Sequence, residues 1–341
     1  MLGTKVLLIY TGGTIGMIKD QESGILKPFD FEQITKEVPE LNRFDCEIDS
    51  FSFSTPLDSS NMNPDVWVEL AEIIEDNYTN YDGFVVLHGS DTMAYTASAL
   101  SFMLQGLNKP VIFTGSQLPI GVIRTDGKEN LITAIEIASA KKANKPIVPE
   151  VGIYFEYQLY RGNRTTKINA EDFEAFESFN YPFLAEAGIR IKYKSRYIKE
   201  FSEEAVLNVY KKFDRNVAAL KLFPGITEEF VSHFLATPNL KAVVLETFGS
   251  GNAPSDAWFL SLLKDAVDRG IVIVNVTQCK GGGVDQAKYE TGNNLEAIGV
   301  ISGGDITFEA AITKLMLILG GQTPLDKIKR KFLSPFSGEL S

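Results

Sequence analysis

Short runs that are almost wholly apolar recur along the chain at residues 5–10, 84–88, 111–114, 151–157, 242–247 and 271–276. Stretches with helical periodicity separate them. A strand that is apolar on both faces must be covered on both faces, which is the pattern of a parallel sheet layered between helices. Further strands are expected at 45–53 and 218–222, and helices at 64–77, 92–104, 128–140, 228–235, 254–268 and 308–319. Asn63-Pro64 and Ala253-Pro254-Ser255 read as helix starts, because a proline in the first turn gives up no intrahelical hydrogen bond. The segment 193–216, rich in Lys, Arg, Ser and Glu, interrupts the alternation. The expected architecture is α/β. A larger N-terminal doubly wound, flavodoxin- or Rossmann-like sheet domain spans 1–192, a linker spans 193–216, and a smaller C-terminal α/β domain with a parallel sheet spans 217–341.

Charge narrows the function classes. Lys and Arg total 33 against 44 Asp and Glu, a net charge of −11, so neither nucleic acid nor an anionic membrane is an expected partner. No apolar run approaches the ~20 residues that a membrane-spanning helix needs. The apolar amino-terminal stretch runs straight into Thr11-Gly12-Gly13-Thr14 without a separable cleavage region, and is read as the first strand. Cys46 and Cys279 stand far apart, in segments that read as buried strands or their ends. They are expected as free thiols of a cytoplasmic protein. Neither His88 nor His233 lies in a zinc-binding pattern, so no metal site is expected.

Thr11-Gly12-Gly13-Thr14-Ile15-Gly16 follows the first expected strand. In an open α/β sheet, ligands bind beyond the carboxyl ends of strands, and adjacent glycines let the backbone approach one closely. The same loop also reads as a phosphate loop or a plain tight turn. Its spacing is not that of a dinucleotide fingerprint, and 121–128 does not make a P-loop. His88-Gly89-Ser90-Asp91-Thr92-Met93 again ends a strand and opens a helix, bringing a hydroxyl, a carboxylate and helix-terminal N–H groups together. Taken singly, Asp91 reads as a helix cap. His88 has no nucleophile elbow around Ser90 to serve as a triad base. Tyr160-Arg161-Gly162-Asn163-Arg164-Thr165-Thr166-Lys167 follows the strand at 151–157. Its lysine reads as a solvated surface residue or, beside a hydroxyl and an aspartate in a desolvated cleft, as a base.

These segments, together with Asp58-Ser59-Ser60-Asn61-Met62, Thr114-Gly115-Ser116-Gln117 and Gly251-Asn252-Ala253-Pro254, resemble the bacterial asparaginases of the threonine-nucleophile class, specifically the cytoplasmic type I branch. The match runs over nearly the whole chain, in the family's order. The resemblance implies hydrolysis of L-asparagine to L-aspartate and ammonia through a β-aspartyl ester on Thr14, without metal or organic cofactor. It implies a second set, Ser90, Asp91 and Lys167, in which the lysine moves protons and the carboxylate grips the substrate ammonium. Ser59, with Ser60 beside it, matches the group that binds the substrate α-carboxylate, and backbone N–H groups near Gly89 would stabilise the oxyanion. A homo-oligomer is implied, either a homotetramer built as a dimer of dimers or a homodimer.

Three departures stand out. Ser90 occupies a position where the family has threonine, keeping the hydroxyl but losing the methyl that restricts its rotamer, so altered but retained turnover is expected. Ile25 stands where the family carries a lid tyrosine. Thr277, Gln278 and Cys279 match part of a second-domain effector site, but Glu246 replaces an arginine there, so activation by asparagine is not expected at that place. Two alternatives belong to neighbouring or different classes: a related glutaminase or amidotransferase-type amidase, and a non-catalytic asparagine sensor.

Overall fold

Strand β1 (Thr4–Gly12) is buried from Val6 onward, as expected of a run apolar on both faces. It belongs to a first unit, Met1–Tyr210, which is compact separately from a second, Lys211–Ser341. The computed structural model describes residues 3–19, 26–28, 31–287 and 290–341. After β1 the first unit places β2 (Cys46–Leu57), β3 (Gly83–Leu87), β4 (Val111–Thr114), β5 (Val151–Phe155) and β6 (Gln158–Arg161). A small hairpin of β7 (Thr166–Lys167) and β8 (Phe176–Glu177) follows, then β9 (Ala185–Glu186) and β10 (Lys192–Tyr193). Among the described residues an eight-stranded sheet runs β10-β9-β6-β5-β4-β3-β1-β2. The pairs from β2 through β5 are parallel, while β5–β6, β6–β9 and β9–β10 are antiparallel.

The parallel part has the order β2-β1-β3-β4-β5, which reverses direction of progress between β1 and β3. That crevice, outside the carboxyl ends of the two strands, is where open α/β sheets bind ligands. Strands β3, β4 and β5 are wholly buried; β2, at the edge, is largely exposed and rich in Ser and acidic residues, which blunts it against edge-to-edge pairing. Helix α1 (Pro64–Asn77) begins where expected, with Asn63 accepting a hydrogen bond from the Asp65 N–H at 2.9 Å. Helix α2 (Met93–Met103) is buried nearly all round. One face of α3 (Gly127–Ser139), with Leu131, Ala134, Ile135 and Ala138, joins Val6, Leu8, Val85 and Ile112 of the sheet in one apolar core.

The stretch 193–216 belongs to the first unit as far as Tyr210. Asn208–Val209 pairs with Leu104–Gln105, and Ile198 is buried.

In the second unit β11 (Val217–Lys221), β12 (Ala242–Thr247), β13 (Val272–Thr277) and β14 (Ile301–Ser302) form a four-stranded parallel sheet in sequence order. Thr227 caps α4 (Glu228–Leu235) and Thr307 caps α6 (Phe308–Gly320) through their hydroxyls. Helix α5 (Ala257–Asp268) starts later than the proline signal suggested, because Asp256 is still extended. Lys314 of α6 is fully buried against Glu339, anchoring the carboxyl-terminal residues on this unit. Both cysteines are free thiols, and Cys279 is exposed rather than buried at a strand end. No described helix is long and apolar enough to cross a membrane.

Candidate active site

Three motif loops meet at the crevice between β1 and β3. Gly13 has φ +87°, and a Cβ there would lie 2.5 Å from the Gly89 nitrogen; a Cβ on Gly89 would lie 2.6 Å from Ser59 Oγ. Only residues without side chains let the backbones after β1, β2 and β3 stack this closely. Cross-ties fix the arrangement. The Thr11 hydroxyl donates to the Leu87 carbonyl at 2.9 Å, the Gly13 N–H to the Leu57 carbonyl at 3.2 Å, and the Thr92 hydroxyl to the Ser59 carbonyl at 2.7 Å. Asp58 accepts from both the N–H and the hydroxyl of Ser60, each at 2.8 Å, and so caps the short turn Ser59–Asn61. Thr14 opens the next turn after Gly13 and is half-buried; Ser59 is buried and Ser60 exposed.

Ser90, Asp91 and Lys167 converge although 76 or more residues separate the lysine from the other two. Lys167 Nζ donates to Ser90 Oγ at 2.9 Å and to Asp91 Oδ1 at 2.7 Å. The lysine side chain is 16% exposed and the aspartate 67%. Asp91 does not cap α2: its neighbour Thr92 holds the cap position, without a side-chain cap bond. Lys167 is delivered by the β7–β8 hairpin, where it pairs with Phe176. The rest of its motif is scaffold. Arg161 is buried against Glu150, Nε to Oε2 2.6 Å, and Arg164 is buried with its guanidinium over the Tyr181 ring.

His88 is scaffold as well. Its ring is fully buried, with Nδ1 2.7 Å from the Gly89 carbonyl and Nε2 2.9 Å from Thr96 Oγ1. A carbonyl only accepts, so Nδ1 carries the proton and Nε2 accepts from Thr96. Burial lowers its pKa to about 4, which leaves it neutral near pH 7.

Two polar residues given no role by sequence reasoning border the site. Gln117, in the loop after β4, accepts from the Ser90 hydroxyl at 3.3 Å. Buried Asp126 takes the Gln117 and Leu118 N–H groups at 2.8 and 3.1 Å, and burial raises its pKa. The available signal was the Thr114-Gly115-Ser116-Gln117 motif, which ends a strand like the others.

Ile25 lies outside the described residues. In the second unit Thr277 is the last residue of β13, and Gln278 and Cys279 follow it. The Thr277 hydroxyl donates to the Gly249 carbonyl at 2.6 Å and accepts the Cys279 N–H at 3.0 Å. The Gln278 amide donates to the carbonyls of Leu222 and Glu246, at 2.7 and 2.9 Å. Among the described residues no group of three or more His, Cys, Asp or Glu is placed to hold a metal ion.

The chain is similar to known proteins over nearly its whole length. A family model described as "Asparaginase, N-terminal" matches residues 5–199, and one described as "Glutaminase/Asparaginase C-terminal domain" matches 216–332. L-asparaginase 1 of Escherichia coli K12 is 44% identical over 337 residues, 98% of each chain. The crystal structure of L-asparaginase I from Vibrio cholerae superposes with a TM-score of 0.89 at 40% identity, covering 99% of both chains. The thermostable L-asparaginase from Thermococcus kodakarensis gives a TM-score of 0.90 at 31% identity, again over 99% of both. With its two-unit α/β fold and its motif loops gathered at one switch point, this chain belongs to the asparaginase family.

Proposed function

We propose that the chain hydrolyses L-asparagine to L-aspartate and ammonia, with Thr14 as nucleophile. The observation that carries this reading is the contact of Lys167 Nζ with both Ser90 Oγ and Asp91 Oδ1, together with the packing of Gly13, the residue before Thr14, against Gly89, the residue before Ser90. An unassisted alcohol is a weak nucleophile, and a hydroxyl linked to an amine gives its proton somewhere to go. Thr14 Oγ1 bonds to the side-chain amide carbon as the C–N bond breaks, its proton passing through the Ser90–Lys167 pair to the departing ammonia. Water then cleaves the β-aspartyl ester and restores the Thr14 hydroxyl. Backbone N–H groups near Gly89, in the loop between β3 and α2, serve the developing oxyanion, a role worth about 3 kcal/mol per donor.

Asp91 engages Lys167 through one oxygen while its side chain stays 67% exposed, which suits it to the substrate ammonium. Ser59, and Ser60 beside it, take the α-carboxylate. No metal or organic cofactor enters this scheme. The two free thiols suit a cytoplasmic enzyme, and a homotetramer or homodimer is part of the same reading.

Ammonia release from L-asparagine, with L-glutamine in parallel, tests it. Wild type is expected to turn over asparagine, and Lys167→Met to lose at least about 100-fold in kcat, the scale of a missing acid-base group. A folded wild type that binds asparagine without releasing ammonia overturns the enzyme reading in favour of a sensor. Glutamine differs by one methylene, a discrimination of about 10- to 200-fold, and faster glutamine turnover would reassign the substrate.

A further inference from the structure

Ser90 sits at the centre of the proposed proton path, and no β-branch of its own restricts its χ1. A serine has three staggered wells of comparable depth, whereas a β-branched residue is confined by its extra substituent. What confines Ser90 is on the facing loop. Its hydroxyl donates to Gln117 Oε1 at 3.3 Å while its oxygen accepts from Lys167 Nζ at 2.9 Å. The Gln117 carboxamide is itself orientated: its Nε2 donates to the Asp172 carbonyl at 3.0 Å. That carbonyl accepts only, so the amide oxygen must face Ser90.

Both ends of this clamp are anchored. The Gln117 N–H donates to buried Asp126 at 2.8 Å. The turn presenting Asp172 is closed by Asn169 Oδ1, which accepts the N–H groups of Glu171 and Asp172 at 2.8 and 3.0 Å. That turn lies in the same β7–β8 hairpin that delivers Lys167.

We propose that Gln117 is a positioning residue for the reaction: its carboxamide, fixed by the Asp172 carbonyl, holds Ser90 in the one rotamer that presents its oxygen to Lys167. In this chain a hydrogen bond across two loops does what a methyl on residue 90 would do sterically. The inference rests on the proposed amidohydrolase reading, and it is separable from it. If Gln117 acts this way, its effect depends on residue 90 being serine.

The test is steady-state kinetics with L-asparagine on wild type, Gln117→Met, Ser90→Thr and the double variant. Methionine keeps the length and removes the acceptor. Gln117→Met is expected to lower kcat about three- to tenfold, the loss from spreading Ser90 over three wells and losing one hydrogen bond, with KM unchanged within about twofold. Adding Ser90→Thr to Gln117→Met is expected to recover kcat, by a factor at least about threefold larger than the same substitution produces in wild type. Wild-type kcat in Gln117→Met, or no recovery in the double variant, overturns the proposal while leaving the asparaginase reading intact. A crystal structure of Gln117→Met supplies a readout independent of turnover. Ser90 Oγ divided between rotamers supports the proposal, and a single unchanged rotamer contradicts it.

Discussion

Asp91 and His88 show how one motif mixes chemistry with scaffold. As the residue before a helix, Asp91 had an ordinary explanation as a cap, yet its carboxylate turns to Lys167 at 2.7 Å. His88 had the more inviting catalytic chemistry and is instead locked between the Gly89 carbonyl and Thr96. Its titration makes a stability prediction. The folded pKa of about 4 lies below the ordinary value near 6.5, so between those values the unfolded chain binds the extra proton. Stability from this group is therefore complete above about pH 6.5 and is lost as pH falls toward 4, by about 3 kcal/mol in all. In urea unfolding of the first unit from pH 7 to pH 4, wild type is expected to lose about that much more stability than His88→Gln, which cannot titrate. Equal losses in the two proteins would show that His88 does not titrate on unfolding.

Among the elements, the buried parallel strands were legible because covering both faces forces a continuous apolar run. The strands at 111–114 and 242–247 and the helices at 64–77 and 228–235 fall on the residues their patterns indicated. Two-residue ladders such as β7–β8 and β9–β10 carry no periodicity. Their positions come from tertiary packing, so the hairpin that brings Lys167 to Ser90 was not readable from spacing. The convergence of Thr14, Ser59, Ser90 and Lys167 was accordingly available only through resemblance, and Gln117 and Asp126 escaped because neither residue type advertises a role. A prediction belongs to the end of β13. There the Thr277 hydroxyl and the Gln278 amide are engaged by backbone groups of their own unit. Glu246 adds a carboxylate where an α-carboxylate ligand would need a cation. The asparagine rate curve is expected to be hyperbolic, and a sigmoidal curve would place an activating site in this protein despite Glu246.

For the molecule as a whole, a net charge of −11 and matches over 5–199 and 216–332 describe an acidic two-unit hydrolase, and the proposed reacting groups Thr14, Ser90, Asp91 and Lys167 all belong to the first unit. The order β2-β1-β3-β4-β5 accounts for this: the reversal between β1 and β3 opens a crevice at the carboxyl ends of those two strands, and the second unit's described sheet, in sequence order, has no such reversal. The central claim is that the hydroxyl of Thr14, rather than that of Ser90, carries the acyl group. The most direct measurement is the mass of the chain after acid quench during turnover of L-asparagine, followed by mapping of its peptides. One aspartyl group per chain on the peptide containing Thr14, absent from Thr14→Val, is the expected result. An aspartyl group on the peptide containing Ser90, with that containing Thr14 unmodified, would contradict it.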